Sequence, residues 1–419
     1  MSAPSLSTRS YDPIDLSSRA FWSTSAADRE RAFAVLRAER PVSWHPPVED
    51  ALMPDPADPG YWAVTRHADI VAVSRDNQAF LSGKGVLFEN IPEELLEASQ
   101  SFLAMDAPRH TKLRKLTSSA MTPRQVRRIE DSIKANAAAI VTELKAAGSG
   151  VDFVEYCAKE LPMRTLSDMV GIPPSERERV AEAADTAVSW ADEVHLNGRN
   201  PLQALFEAQG YLHQLVGTLA AERRENPSDD LISSLVTTEV DGDRLTDGEV
   251  AAYFVLLCVA GNDTTRQATS HAMKALTDFP EQRAWLLEDF DNRIGTAVEE
   301  FIRWATPVMT FRRTAATDIE LGGQLIRAGE KVVMFYSSGN RDETVFDHPS
   351  RFDLSRDPNH HVGFGGGGAH FCPGTHVARA QLRAIFGELL RQLPGIEAGE
   401  PSYVPGNFIH GVRAMPCTF

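Results

Sequence analysis

From about Pro108 to Phe290 apolar residues recur at helical spacing among abundant Ala, Leu, Glu and Arg, which predicts a long succession of amphipathic helices. One helix start is explicit. Thr246-Asp247-Gly248-Glu249 has the Thr-x-x-Glu form of a capping box, and the helix it opens is predicted to run to about Leu276. Upstream, Tyr61 to Thr65 and Asp69 to Val73 carry short apolar patterns suited to a strand followed by a helical turn. Downstream, the alternation of Asp318 to Val333 is broken by Gly322-Gly323, the pattern of a β-hairpin, and Thr375 to Leu390 is again helical. The Pro- and acid-rich stretch Pro46 to Gly60 reads as a surface loop, and there is no internal repeat. The chain is therefore expected to be mainly α with a small β-rich part.

Composition narrows the class. The purest apolar stretch, Ala251 to Ala260, falls well short of the roughly 20 residues that cross a bilayer as a helix, so no membrane span is expected. Met1 to Asp12 has no apolar core of the signal-peptide kind; residues 1–15 read as a flexible tail and the protein as cytoplasmic. A net charge of -16 argues against nucleic acid and anionic membranes as partners. The cysteines Cys157, Cys258, Cys372 and Cys417 are widely spaced, without a CxxC pair, so reduced thiols are expected.

Cys372 ends an unusual loop, Gly363-Phe364-Gly365-Gly366-Gly367-Gly368-Ala369-His370-Phe371-Cys372-Pro373-Gly374. Consecutive glycines cost conformational entropy, so something must need the backbone there; a flat macrocycle pressed on the loop would be such a reason. Just ahead of a helix, unpaired N–H groups and the positive dipole end favour a thiolate, and Pro373 suits a first helical turn. Other readings stay open from these residues alone. A phosphate loop lacks the following Lys-Ser/Thr, a zinc site built on His370, Cys372 and His376 lacks a fourth ligand, and a plain turn with a buried cysteine needs nothing further.

The loop is similar to the Phe-Gly-x-Gly-x-His-x-Cys-x-Gly pattern of the cytochromes P450, and three further motifs carry the same resemblance. Within the capped helix, Ala260-Gly261-Asn262-Asp263-Thr264-Thr265 places a hydroxyl that can bond back to the Ala260 carbonyl and loosen one turn. Glu300-Phe301-Ile302-Arg303 places an acid and a base on one helix face, and Pro349-Ser350-Arg351-Phe352 resembles the segment whose arginine completes a structural Glu-Arg-Arg cluster of Glu300, Arg303 and Arg351. His110 and Arg114, four apart, resemble the clamp on the haem propionates, with Arg313 and His370 as further partners.

The resemblance covers nearly the whole chain and implies a P450 fold in a single catalytic domain, residues 1–419, around haem b (iron protoporphyrin IX). Cys372 would be the axial iron ligand, with Phe364 and Gly261 beside the haem, and Asp263 and Thr264 the acid–alcohol pair that delivers protons for O2 activation. Helical spacing turns Arg109, Lys112 and Lys115 away from His110 and Arg114, and an acidic ferredoxin with its NAD(P)H reductase is expected to dock near Lys112 and Lys115. Phe364 lies eight residues before Cys372 where seven is usual, so the loop carries one more glycine; Ala107 and Gln381 are minor departures. The longer loop resembles a bacterial subset acting on sterol side chains and methyl-branched or isoprenoid lipids. That implies hydroxylation near a chain terminus, with Ala260, Val308, Phe311 and Phe408 as pocket residues and the segment from Gly83 to Met105 (Leu87, Phe88, Ile91, Leu95) bordering the entrance. Rival readings are a monooxygenase of a smaller terpenoid or secondary metabolite, a peroxide-driven peroxygenase, and a haem-based sensor without turnover.

Overall fold

The computed structural model describes residues 9–49, 51–99, 101–118, 123–189, 192–240 and 242–419. Its principal elements, in chain order, are β1 (Val42–His45), β2 (Tyr61–Val64), α1 (His67–Arg75), β3 (Phe80–Leu81), α2 (Arg109–Ser118), α3 (Pro123–Ala147), α4 (Glu160–Val170), α5 (Arg177–Val188) and α6 (Pro201–Glu225). They continue with α7 (Asp247–Asp278), α8 (Phe290–Ala305), β4 (Thr310–Ala315), β5 (Ile319–Leu321), β6 (Gln324–Ile326), β7 (Lys331–Phe335), α9 (Thr375–Gln392), β8 (Ser402–Val404) and β9 (Gly411–Ala414). Helix makes up 54% of the chain, and the mainly α architecture with a small sheet portion agrees with the reading from the sequence.

The helix α7 organises the rest. Thr246 Oγ1 accepts from the Glu249 N–H and the Glu249 carboxylate accepts from the Thr246 N–H, so the capping box forms as predicted and the helix extends two residues past Leu276. It lies against α4, α5, α6 and α8. Its N-terminal half (Val250, Phe254, Leu257) belongs to a core shared with Leu212, Val216 and Leu219 of α6, and its C-terminal half (Ala272, Met273, Leu276) to a second core with Val298 and Phe301 of α8 and Phe386 of α9. The segment 260–265 falls between these two cores.

On α8, Ile294, Ala297, Val298, Phe301, Ile302 and Ala305 repeat at i, i+3, i+4, i+7, i+8 and i+11, and all are buried. Each large side chain in such a stripe contributes roughly 1.5–3 kcal/mol on burial. The helix stops at Thr306, whose φ of 40° is unusual for a β-branched residue. Asn340 Nδ2 donates to its hydroxyl at 2.9 Å, and that hydroxyl donates to the Arg303 carbonyl at 2.7 Å.

The main sheet has the order β1-β2-β7-β4-β3, with β2 and β7 parallel and the other neighbours antiparallel. The predicted hairpin is β5–β6, closed by Gly322 and Gly323, both at positive φ as a two-residue turn of this type requires. Of the expected N-terminal tail, residues 1–8 lie outside the described residues. From Arg9 onward the chain is held: the guanidinium donates to Glu330 and covers the Trp44 and Trp62 rings at 5.2 and 4.7 Å, and the Asp12 N–H donates to the Trp44 carbonyl. Among the described residues no helix is long and apolar enough to cross a membrane.

Candidate functional site

The glycine loop lies on α1, and this revises its explanation. A Cβ at Gly366 would come within 2.6 Å of Ser74 Oγ, and one at Gly368, whose φ is +77°, within 2.3 Å of the Ser74 carbonyl oxygen. Packing against the C-terminal end of α1 is therefore sufficient reason for these two glycines, a contact the sequence reading did not foresee. The helix α9 begins at Thr375 with Gly374 as N-cap, so Pro373 precedes the helix rather than filling its first turn. The Cys372 N–H donates to the Phe364 carbonyl at 3.1 Å, which closes the loop. Burial pushes the Cys372 thiol upward, opposed by the Gly374 N–H and the nearby Arg114 and Arg379 guanidiniums.

The phenyl ring of Phe364 is clamped from outside. Arg379 covers it at 4.8 Å and donates to both oxygens of Glu299, at 2.6 and 2.8 Å, while His361 completes the set. Burial works against Glu299, but Arg379 and His361 hold its carboxyl down at about 2.

The residues expected to meet the propionates converge beside the cysteine loop. His110 is buried on α2 and its ring lies 4.1 Å from that of His370; Arg114 donates to the Phe371 carbonyl at 2.5 Å and Arg313 to the Arg312 carbonyl at 2.7 Å. Burial depresses all four groups, His370 to about 3, and Arg313, His110 and Arg114 repel the proton on His370 further. His110 Nε2 and His370 Nδ1 are buried without a hydrogen-bond partner, and among the described residues no carboxylate pairs with Arg114 or Arg313. Desolvated donors beside the Cys372 thiol, lacking an anion, fit a haem with its two carboxylates.

On α7 the backbone stays helical through the expected loosened turn, and Thr264 Oγ1 donates to the Ala260 carbonyl at 2.8 Å. Ala260 is exposed and Gly261 and Thr264 partly so, whereas Asn262, Asp263 and Thr265 are buried. Ala260, Gly261 and Thr264 thus share one uncovered face. Asp263 is held by residues that the sequence reading missed. Its Oδ1 accepts from Arg266 and from Gln267 Nε2 (3.0 Å), and its Oδ2 is buried without a partner. Arg266 also donates to both oxygens of Asp185 on α5, at 3.0 and 2.9 Å. Burial opposes charge on Arg266, but the two carboxylates raise its proton affinity overall; burial raises Asp185, with Arg266 acting against it. The i+3 and i+4 spacing of Arg266 and Gln267 could have been read from the sequence, whereas Asp185 has no local signal.

The structural cluster is present with one substitution of role. Arg303 donates to both oxygens of Glu300 at 2.7 Å, and both residues are fully buried. The side chain of Arg351 is exposed, and only its carbonyl takes part, accepting from Arg303 at 3.1 Å. The second guanidinium on Glu300 is Arg356, at 3.3 Å. The register of the meander, four residues beyond the motif, decides which arginine turns inward.

Three expected pocket residues meet. Val308 pairs with Ile409 in an isolated bridge, the Met309 N–H donates to the Phe408 carbonyl, and the Phe408 ring meets Phe311 edge-on at 5.5 Å. Leu87 and Phe88 line a cavity together with Asp263 and Phe408.

Residues 194–394 match the family model described as Cytochrome P450. The chain is 41% identical over 409 residues to methyl-branched lipid omega-hydroxylases of Mycobacterium bovis and Mycobacterium tuberculosis, spanning 97% of this chain and 94% of theirs. It is 38% identical over 389 residues to a steroid C26-monooxygenase of Rhodococcus jostii, spanning 91% of this chain and 80% of that one. A Mycobacterium marinum cytochrome P450 solved in complex with pseudoionone superposes with a TM-score of 0.96 at 76% identity, over 99% of this chain and 100% of the other. Likeness over almost the full length, in sequence and in fold, shows that this chain belongs to the cytochrome P450 family and is a P450 monooxygenase, whose family implies a haem-thiolate cofactor.

Proposed function

We propose that this chain uses O2 and electrons from an acidic ferredoxin to hydroxylate an apolar small molecule at or near the terminus of a methyl-branched or isoprenoid lipid or sterol side chain. The observation that carries the reading is the middle of α7, where an uncovered face of Ala260, Gly261 and Thr264 adjoins a buried carboxylate with one free oxygen. A haem b, when bound, supplies the iron that activates dioxygen, and a thiolate ligand favours O–O cleavage.

The chain's own residues hold that group and manage protons. Cys372 would ligate the iron; His110, Arg114, Arg313 and His370 would neutralise the propionates; Phe364, fixed by Arg379, would lie against the thiolate side. Arg266 and Gln267 hold Asp263 by Oδ1, leaving Oδ2 to carry a proton from the adjoining cavity. Thr264, bonded back to Ala260, keeps its hydroxyl at the reacting face and passes that proton on. Glu300, Arg303 and Arg356 brace the segment leading into the cysteine loop.

The substrate reading is supported by relatives named for methyl-branched lipid and steroid C26 oxidation, and by a similar structure that holds pseudoionone, an acyclic isoprenoid ketone. Val308, Phe311 and Phe408 would form its apolar wall. On α2 the outer face of Arg109, Lys112 and Lys115 is exposed and suits an acidic partner; Lys112 already pairs with Asp243 at 2.9 Å, a surface pair worth about 1 kcal/mol or less that a ferredoxin carboxylate could displace. The two cores share α7, which supports reading residues 1–419 as one catalytic domain, and we place the enzyme in the cytoplasm.

A panel of branched fatty acids, isoprenoids and sterones, titrated against the ferric holoenzyme and then turned over with ferredoxin and reductase, tests this. Branched or isoprenoid chains should drive the high-spin shift and give terminal alcohols. Turnover confined to compact terpenoids, or none with any member, would overturn the reading.

A further inference from the structure

Gln267 is 1% exposed, and both ends of its amide are engaged inside the protein. The Val412 N–H donates to Oε1 at 2.7 Å, and Nε2 donates to Asp263 Oδ1 at 3.0 Å. An amide has one accepting end and one donating end. Because an N–H can only donate, Val412 settles which end is which, and the NH2 group is left to the carboxylate. The two partners belong to different parts of the site. Asp263 is the carboxylate with a free oxygen, whereas Val412 lies on β9, directly after the loop that carries Phe408 and Ile409.

Arg266 also donates to Oδ1, so that oxygen takes two donors while Oδ2 has none. The donors differ in where they are anchored. Arg266 runs to Asp185 on α5, and Gln267 to the backbone of β9, 145 residues away in sequence. That strand is itself held from two sides. Val412 is 3% exposed in the core shared by α7, α8 and α9, and Arg413 binds Asp192 at 3.0 Å.

We propose that Gln267 is a positioning residue for proton delivery: its amide transmits the fixed position of β9 to Asp263, and so sets the free oxygen relative to the wall loop that β9 anchors. The inference rests on the function proposed above and adds the group that registers the proton donor against the substrate wall. A residue that merely stapled β9 to α7 would need an acceptor for Val412 and could present anything to Asp263. Gln267 presents a donor there, and an uncharged one, which adds direction to the carboxylate without a further charge.

Two substitutions separate the ends of the amide. Gln267→Glu keeps an oxygen for Val412, but its second oxygen donates to Asp263 only while protonated, and once ionised it sets two carboxylates against each other. Gln267→Met, of similar volume and uncharged, loses both bonds. The charged and titratable groups around these partners are Arg266 and His271 on α7, Asp185 on α5, Arg413 on β9, and Glu89 and Asp192 across the adjoining cavity. Dividing each variant by the natural protein at the same pH removes their titration from the comparison. The haem-loaded proteins turn over farnesol, an isoprenoid alcohol, with ferredoxin and reductase, scored as product per electron and as the share oxidised at the chain's methyl terminus. Relative to the natural protein, Gln267→Glu should fall at least about threefold in product per electron between about pH 6 and about pH 8.5, with terminal selectivity kept. Gln267→Met should lose product per electron at every pH, and terminal selectivity with it. A Gln267→Glu ratio that stays constant across that range would show that Asp263 does not need the donor, and unchanged terminal selectivity in Gln267→Met would show that β9 does not need the acceptor; either result overturns the inference. Should Gln267→Glu load no haem, Gln267→Met decides alone, and coupling equal to the natural protein's overturns the inference. No oxidation of farnesol by the natural protein would instead count against the function proposed above, and the inference would fall with it.

Discussion

Arg266 is the counter-ion of two carboxylates, and Arg266→Leu would leave them facing each other. The side chains of Arg266 and Asp263 are 12% and 4% exposed, and that of Asp185 is 24% exposed. Removing one member of a buried ion pair costs about 3–5 kcal/mol, and the partial exposure of Asp185 places this case near the lower end, about 3 kcal/mol at neutral pH. The sign of the pH dependence follows from Asp185. Burial raises its proton affinity already and Arg266 is what lowers it, so without Arg266 its folded pKa moves further above the unfolded one. Between those two values the folded variant holds a proton that the unfolded chain has lost, so its stability falls as pH rises. The deficit against the natural protein should therefore shrink as pH drops toward about 4, where the unfolded carboxylate also protonates. Denaturant midpoints of the haem-loaded proteins, from about pH 5 to 8, measure it. A deficit of constant size across that range would refute the reasoning, because the carboxylates would then be solvated rather than confined together. Arg266→Lys, which keeps charge and loses the fork, should cost about 1 kcal/mol.

Cys372→Ser removes the thiolate, so the reduced carbon monoxide complex should lose the absorption typical of thiolate haem; its retention would remove Cys372 as ligand. Thr264→Ala should retain haem while product formed per electron consumed falls at least about tenfold, because a positioned proton donor is worth about 10²-fold or more in rate, with peroxide appearing instead; unchanged coupling would deny Thr264 its role. Arg351→Leu should change stability by no more than about 0.5 kcal/mol, whereas Arg356→Leu should cost about 1–3 kcal/mol because Glu300 is fully buried; denaturant midpoints of the two variants decide between the arginines. Burial lowers His271, stacked at 3.9 Å on His410, to about 4. The unfolded chain takes up a proton from about pH 6.5 while the folded protein does not, so about 3 kcal/mol of stability is lost as pH falls from there to about 4. His271→Leu should flatten that decline, and an unchanged slope would show the ring to be titrating freely.

What the sequence disclosed was chiefly local. The capping box of α7, the Gly322-Gly323 turn, the bond from Thr264 to Ala260 and the pairing of Glu300 with Arg303 each lie within a few residues, where helix or hairpin geometry leaves little choice. The encounters that failed or were missed are long-range. Gly366 and Gly368 answer to Ser74 on α1, which nothing near residue 366 announces. Arg356 rather than Arg351 turns toward Glu300 because the meander's path sets side-chain direction, and a motif match does not encode that path. Asp185 reaches Arg266 across 81 residues. The propionate partners were found through a family pattern; from residues alone, four basic groups scattered from 110 to 370 would have had no reason to meet.

The helix α7 is gripped at both ends by different cores, with its reactive turn in the span between them. In mechanical terms it is a beam fixed at its two supports, which cannot slide or rotate to suit a guest without disturbing both packed regions at once. Adjustment to substrates of different girth must therefore fall to covers outside these two cores, such as the loop before β9, whose residues 405–410 are half-buried or exposed. Amide exchange should be slowest at the two supports and fastest in those covers. An enzyme built this way can vary what it admits while the separation between proton donor and reacting face stays constant.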